Sequence, residues 1–393
     1  MSNLVHIAVP IKVARVSTVA FFVDTQLHAQ ISAIVRSGAQ VTVVASEDKL
    51  SRQIPGCRYV SIEIPRKIDL IRDLEALFHL WRLIRRSGFD IVHSTTPKAG
   101  LLCALAGWLA GVPVRLHTFT GQAWVGLTGV QRLLSKSSDK LVASLNTHCY
   151  ADSASQREFI LANSISRPEQ VSVLGSGSLA GIDLERFDPS RFSADDGDRL
   201  RAELGIRREA RVLLFVGRLA RDKGIAELLH AFQAVSATGI DASLILLGPP
   251  EADFCPLLAA LGEEIARKIV MPGFAEDPER FMAISDILLL PSYREGFGTV
   301  VIEAAAMGLP AIGTDIYGLS DAIVDGVTGL LVPVKNAEKL AEAISALLHD
   351  DATRCRLGAA ARQRVESEFS SQRISSLLLD DYVRLATENR AAK

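Results

Sequence analysis

The chain has 393 residues, long for one domain and enough for two. Its composition, 48% hydrophobic and 22% charged with ordinary Pro and Gly, supports a sizeable core and excludes a disordered or fibrous protein. The net charge of −2 excludes nucleic acid as a partner drawn by overall charge. Residues 1–185 hold 19 Lys+Arg against 14 Asp+Glu and residues 186–393 hold 24 against 31, so the first half suits either an anionic partner, such as phosphate or a membrane surface, or a dipolar soluble protein with no such partner.

Short apolar runs alternate with amphipathic stretches along the chain. Val5–Pro10 reads as a strand, Thr25–Ser37 as a helix with Leu27, Ile31, Ile34 and Val35 on one side, and Gln40–Ala45 as the next strand. Leu70–Ser87 is an amphipathic helix, with Leu70, Leu74, Leu77, Leu80, Trp81 and Ile84 apolar. Asp90–His93 reads as a strand, Ala99–Ala110 as a helix, and Arg115–Thr118 and Lys140–Ala143 as strands. The uncharged run Ala99–Val114 is interrupted by Gly107, Gly111 and Pro113, which fits a buried helix and not a membrane span. Residues 186–210 are polar and turn-rich and read as a linker. A second series follows: strands at Arg211–Val216, Ser243–Leu247, Asp286–Leu290, Ala311–Gly313 and Leu330–Val332, and helices at Gly224–Val235, Gly298–Met307, Ala337–Leu348, Ala352–Glu368 and near Ser375–Thr387.

This alternation predicts an α/β chain of two Rossmann-like domains facing a cleft, residues 1–188 and 189–374, with a C-terminal helix at about 375–393 packing back on the first. The five cysteines are odd in number and form no CxxC pair, which fits a reducing cytoplasm and neither a disulfide framework nor a zinc site. The N-terminus MSNLVHIAVPIKVARV lacks the apolar core and cleavage site of a signal peptide.

The strongest chemical signal is PSYREGFGTVVIEAAAMGLP, Pro291–Pro310. A strand ends, Gly296 and Gly298 free the backbone, and a helix opens at Thr299. Its unpaired N–H groups offer a seat for a diphosphate, flanked by two carboxylates, Glu295 and Glu303, that can accept bonds from sugar and ribose hydroxyls. The same pattern also fits a plain helix start with an ordinary interior Glu.

The E-x7-E spacing of Glu295 and Glu303 in its PS-x-x-EGFG setting resembles the retaining family-4 glycosyltransferases of GT-B fold. So do LPAIGTDIYGLSDAIVDGVTGLLVP (Leu309–Pro333), FVGRLARDKGI (Phe215–Ile225) and, more loosely, the surface-polysaccharide type of segment from Phe89 to Trp124. The resemblance implies a nucleotide-sugar donor held by Gly217, Arg218, Lys223, Glu295, Gly296, Phe297, Gly298, Thr299 and Glu303. Arg218 and Lys223 would bear the diphosphate charge, and His117 would lie near the transferred sugar. Lys98, with Thr95 and Thr96, would sit in an acceptor-side loop, and Gly121 and Gln122 in a flexible cleft loop. The Gly-Gly turn of many members after the first strand is absent. Lys12 and Arg15 put two cations there, suited to an acceptor phosphate.

The implied reaction is a transfer without cofactor or metal, from a UDP-sugar (an N-acetylhexosamine or deoxy relative) to a polyprenyl-diphosphate saccharide at the inner face of the bacterial membrane. Arg82, Arg85 and Arg86, beside Leu80, Trp81 and Leu83, would offer that surface a basic and apolar face; a core-facing stripe with a solvated edge fits them as well. A sugar-nucleotide epimerase of the same fold, a transferase to a soluble acceptor and a non-catalytic nucleotide-sugar binder remain alternatives. No GxGxxG follows a predicted strand, which disfavours an NAD-dependent oxidoreductase.

Overall fold

A computed structural model describes residues 11–46, 54–65, 68–251 and 253–391. The contacts divide the chain into two compact units, Met1–Gly181 with Ser371–Lys393, and Ile182–Ser370. The division falls at Gly181, not at residue 188. Ile182 N donates to Phe369 O at 2.7 Å, so the two passages of the chain at this boundary lie side by side.

The first unit is built on a parallel sheet of seven strands: β1 (Lys12–Val16), β2 (Gln40–Ala45), β3 (Arg58–Ser61), β4 (Ile91–Thr95), β5 (Val114–Phe119), β6 (His148–Ala151) and β7 (Val171–Val173). They run in the order β3-β2-β1-β4-β5-β6-β7. β1 is buried from its second residue onward, as expected of a parallel strand covered on both faces. Val13 packs with Ile31 and Ile34 of the helix His28–Arg36 and with Leu378 of the C-terminal helix Ser371–Ala391. Ala14 and Val16 pack on the other face with Leu80 and Ile84 of the helix Leu70–Ser87. That helix starts where Asp69 accepts a bond from Arg72 N and stops at Gly88, whose φ of 60° a side chain would disfavour.

The second unit repeats the design with β8 (Arg211–Val216), β9 (Ala242–Leu247), β10 (Ile269–Gly273), β11 (Ile287–Leu290), β12 (Ala311–Thr314) and β13 (Gly329–Val332), ordered β10-β9-β8-β11-β12-β13 and parallel throughout. In both sheets the strand order reverses once, between β1 and β4 and between β8 and β11. Outside the carboxyl ends of such a pair, connecting loops diverge and leave room for a ligand.

Several expectations need correction. Lys140–Ala143 is not a strand but the last part of the helix Gly129–Leu145; four apolar-leaning residues do not distinguish the two, and Asp139, Val142 and Ala143 are buried at helical spacing. The expected linker contains a helix, Ala194–Glu203, begun by a capping box in which Ser193 and Asp196 bond each other's backbone N–H. The strand expected at Val5–Pro10 lies outside the described residues. Lys12 and Arg15 do not occupy a loop after the first strand: both belong to β1.

Candidate active site

In the second unit β8 ends at Val216 and β11 at Leu290, the pair where the strand order reverses. Gly217 and Arg218 follow the first, and Pro291 to Glu295 follow the second. Both loops therefore emerge at the same end of neighbouring strands, and their side chains meet. Lys223 Nζ lies 2.5 Å from Glu295 Oε1, which also accepts from Ser292 Oγ at 2.7 Å. Arg218 bonds Glu251 and reaches Asp222 Oδ2 at 3.2 Å, and Asp222 also accepts from Arg294 at 3.1 Å. Tyr293 N donates to Asp222 O at 2.9 Å, which ties the two loops by their backbones.

The two cations differ in what holds them. Arg218 and Glu251 are 47% and 50% exposed, so their pair contributes no more than about 1 kcal/mol and an incoming phosphate can exchange for it. Lys223 and Glu295 are 20% and 14% exposed, and breaking that pair would leave a poorly solvated charge. Glu295 is thus first a positioning group for Lys223.

The helix Thr299–Ala306 begins just beyond. Gly298, its N-cap, has φ 86° and supplies no side-chain cap; Val301 N bonds back to Gly298 O at 2.8 Å, so the N–H groups of Thr299 and Val300 are the ones left without an N-cap partner among the described residues. Glu303, inside this helix, is half-buried. Burial pushes its carboxyl up to about 7, with Arg186 opposing and Glu279 adding to the shift. Arg186 itself grips Glu279 by two bonds, of 3.1 and 2.8 Å. Phe297, expected at the donor, is a core residue: it is 2% exposed and its ring lies 5.2 Å from that of Phe369.

The first unit uses its polar residues differently. Arg15 is 1% exposed and, among the described residues, pairs with no carboxylate. Its guanidinium donates to His93 Nδ1 (2.9 Å), Tyr382 Oη (2.8 Å) and Gln30 Oε1 (2.9 Å). Since Arg15 only donates, His93 Nδ1 is an acceptor and its Nε2–H is left to donate to Thr118 Oγ1 at 2.8 Å. Burial, then the Arg15 charge, holds the His93 imidazole well below its ordinary value. Arg15 is therefore a buried tie between β1, β4 and the C-terminal helix and not a loop cation for an acceptor. Lys12 stands at the opposite, amino end of β1.

His117 lies within β5, not after it. It is 2% exposed, bonded to Ser94 Oγ at 2.9 Å, and its ring touches the edge of Phe119. Gly100 permits this, since a Cβ there would stand 2.5 Å from the ring. Burial drives the imidazole down to about 3, so it is neutral and sealed from solvent, against the expectation that it meets the sugar. Lys98 belongs to the first turn of the helix Pro97–Leu109, not to a loop, and pairs with Asp73 at 2.6 Å. Gly121 follows β5 with φ 109°. Gln122 is fully buried, not part of a flexible loop; Gln156 holds its Oε1 at 3.4 Å and also accepts from Asp152 N at 2.6 Å. Thr96, after β4, has φ 72° and shares a hydrogen bond with Thr18 Oγ1 at 2.8 Å, across the other strand reversal.

Sequence reading missed Ser292, Asp222, Arg294, Glu251, Arg186 and Glu279. Of these only Ser292, Asp222 and Arg294 lie inside the quoted motifs, where they could have been weighed. Among the described residues, no group of three or more His, Cys, Asp or Glu could hold a metal ion, and no helix is long and apolar enough to cross a membrane.

Residues 196–364 match the family described as glycosyl transferases group 1, and residues 23–177 match the glycosyl transferase 4-like domain. The chain is 30% identical over 354 residues to the capsular polysaccharide biosynthesis glycosyltransferase CapM of Staphylococcus aureus, covering 88% of this chain and 90% of that one. It is 26% identical over 289 residues to the Escherichia coli UDP-Gal:alpha-D-GlcNAc-diphosphoundecaprenol alpha-1,3-galactosyltransferase, covering 72% and 73%. The Anabaena protein HepE, solved in complex with UDP, superposes with a TM-score of 0.76 at 18% identity, covering 94% of this chain and 99% of that one. Two doubly wound parallel sheets and these similarities together establish that the chain belongs to the family-4 glycosyltransferases of GT-B fold and is a glycosyltransferase.

Proposed function

We propose that the protein transfers a sugar, with retention at the anomeric carbon, from a UDP-sugar to a lipid-diphosphate-linked saccharide at the inner face of a bacterial membrane, in the assembly of a surface polysaccharide. The observation that carries the donor half is the cluster at the β8/β11 reversal: Lys223 held by Glu295, Arg218 in exchangeable pairs, and the open helix start at Gly298. Three positive features face one loop end, where a diphosphate would meet cations and free N–H groups together. The UDP bound to the Anabaena structure and the lipid-linked substrate named for the E. coli relative support the choice of donor and acceptor.

In this reading Arg218, Lys223 and the N–H groups at Thr299 stabilise the departing diphosphate, work that a bound metal ion does in other transferases. The bond from the anomeric carbon to the phosphate oxygen breaks, the acceptor oxygen bonds that carbon on the same face, and the acceptor proton passes to the leaving phosphate oxygen. Glu303 accepts hydrogen bonds from the ribose, and Glu295, besides fixing Lys223, reaches sugar hydroxyls with its second oxygen.

A thermal-shift screen of nucleotides and nucleotide sugars, beginning with UDP-N-acetylhexosamines and their deoxy relatives, tests the donor, because a ligand bound only by the folded state raises Tm. The reading expects a UDP-dependent rise that Lys223→Ala abolishes. No shift with any uridine nucleotide would refute it. Turnover with a short-chain lipid diphosphate saccharide and none with free sugars is the expected acceptor result; the reverse would make the enzyme a transferase to soluble acceptors.

A further inference from the structure

The backbone ladder between β8 and β9 continues past the ends of both strands. Gly217 N donates to Leu247 O at 2.9 Å, Leu219 N to Pro249 O at 2.9 Å, and Glu251 N to Leu219 O at 3.1 Å. The two loops lie so close that a Cβ on Gly248, whose φ is 146°, would run into Gly217 O. Backbone bonds therefore bring Glu251 to Arg218. Their carboxylate–guanidinium contact is built into the fold and is not a chance meeting of two long side chains.

Four charged side chains meet at this point. Asp222 accepts from Arg218 at 3.2 Å and from Arg294 at 3.1 Å, and its carbonyl is held by Tyr293 N at 2.9 Å. Glu251 has one side-chain partner among the described residues, Arg218, and is 50% exposed where Asp222 is 31% exposed. Two cations thus face two carboxylates, and within this cluster no positive charge is left over for an anion. A diphosphate that engages Arg218 must displace a carboxylate. The one held by a single exposed contact is Glu251, and that contact is the weaker of the two. Left beside the phosphate, an ionised Glu251 would also repel it.

We propose that Glu251 is a stand-in for the donor phosphate: it holds Arg218 while the site is empty, yields it to the incoming diphosphate, and takes it back as the product nucleotide departs. Glu251 thereby weakens nucleotide binding and hastens product release. It acts through Arg218 and is a positioning residue. The inference rests on the donor reading above and adds to it a group that opposes binding. A nucleotide diphosphate is common to donor and product, so a contact that tightens the first also retains the second; a competing carboxylate relieves that retention.

The test is calorimetric titration of UDP and of inorganic pyrophosphate into wild type, Glu251→Gln, Glu251→Asp and Glu263→Gln. The last breaks another exposed pair of the same unit, with Arg267. Glu251→Gln keeps the shape and loses the charge, so it should bind both ligands about fivefold more tightly than wild type, the upper range for an exposed ion pair. Glu251→Asp, one methylene shorter, should fall between the two, and Glu263→Gln should differ from wild type by less than about twofold. The gain should shrink in high salt. A disturbed loop loses affinity, so a gain separates this role from a structural one. Unchanged or weaker binding by a Glu251→Gln protein whose Tm matches wild type would overturn the proposal, as would an equal gain with Glu263→Gln. If Glu251→Gln melts below wild type, Glu251→Asp decides on the same terms. Should pyrophosphate show the gain while UDP binds neither protein, the nucleotide reading fails and the role of Glu251 stands. If UDP binds wild type and Glu251→Gln alike, the donor reading stands and this inference fails.

Discussion

The two sheets share one strand order, yet their reversal points handle charge in opposite ways. At β8/β11 the charged groups are held near solvent: Arg218 half-exposed in pairs a ligand can replace, Lys223 fixed by one carboxylate. At β1/β4 the charged and titratable groups are drawn inward, with Arg15 locked among His93, Gln30 and Tyr382, and His117 sealed against Ser94. In the proposed reading one sheet end meets an anion, whereas the other holds its own helix. The same residue type, a cation near a strand end, stays in exchangeable or half-exposed pairs in one half and is locked inward in the other; burial and the neighbours decide which.

The largest expected effect would break this contrast if it failed. Lys223→Ala should cost about 10²–10³-fold in turnover, as does removal of one group that stabilises developing charge, and lower Tm by less than Arg15→Leu does, because the stranded Glu295 keeps its bond from Ser292 Oγ. In contrast, Arg15→Leu should destabilise the first unit by about 2–4 kcal/mol, since His93, Tyr382 and Gln30 each lose a buried donor; thermal denaturation measures it. A Tm as high as wild type would show that Arg15 is no structural tie. Gly100→Ala, which thrusts a methyl to 2.5 Å from the His117 ring, should cost about 1–3 kcal/mol by the same assay. Arg218→Ala should weaken UDP by about tenfold, less than Lys223→Ala, because Asp222 and Glu251 are solvated once released.

The smallest effect is a pH dependence. In the proposed donor site Glu303 accepts ribose bonds more strongly when ionised, and burial raises its carboxyl to about 7. Protonation as pH falls through that value should weaken UDP by about fivefold in all, about the 1 kcal/mol by which a bond to a charged group exceeds a neutral one. Glu303→Gln should bind more weakly at high pH and lose the dependence. A pH-independent affinity in wild type would remove Glu303 from the ribose.

Legibility in the sequence followed the locality of each signal. Gln40–Ala45, Leu70–Ser87 and Arg211–Val216 fold over the residues that their patterns mark, because an unbroken apolar run or a long amphipathic period with a cap admits one solution. β3, β6 and β7 were not legible: RYVS, HCYA and VSV are short or polar, and they become strands only by pairing with an existing sheet edge. The motifs that hold Glu295 and Lys223 were legible because each lies within a strand–turn–helix of contiguous chain; the pairing of these two across 72 positions, and the parts of Ser292, Asp222, Arg294 and Glu251, were not. The network of Arg15 was not, since its partners stand 78 and 367 positions away and no local pattern links them. His117 was misplaced for the same reason: burial is set by Ser94, Gly100 and Phe119, which arrive from three separate elements.

Calorimetric titration of UDP into wild type, Lys223→Ala and Arg15→Lys tests the central claim most directly, that the β8/β11 end of the second sheet is the donor seat. The account predicts that Lys223→Ala raises Kd at least about tenfold, about the contribution of one charge-assisted contact, while a folded Arg15→Lys binds as wild type. Equal affinity in the wild type and Lys223→Ala would contradict it.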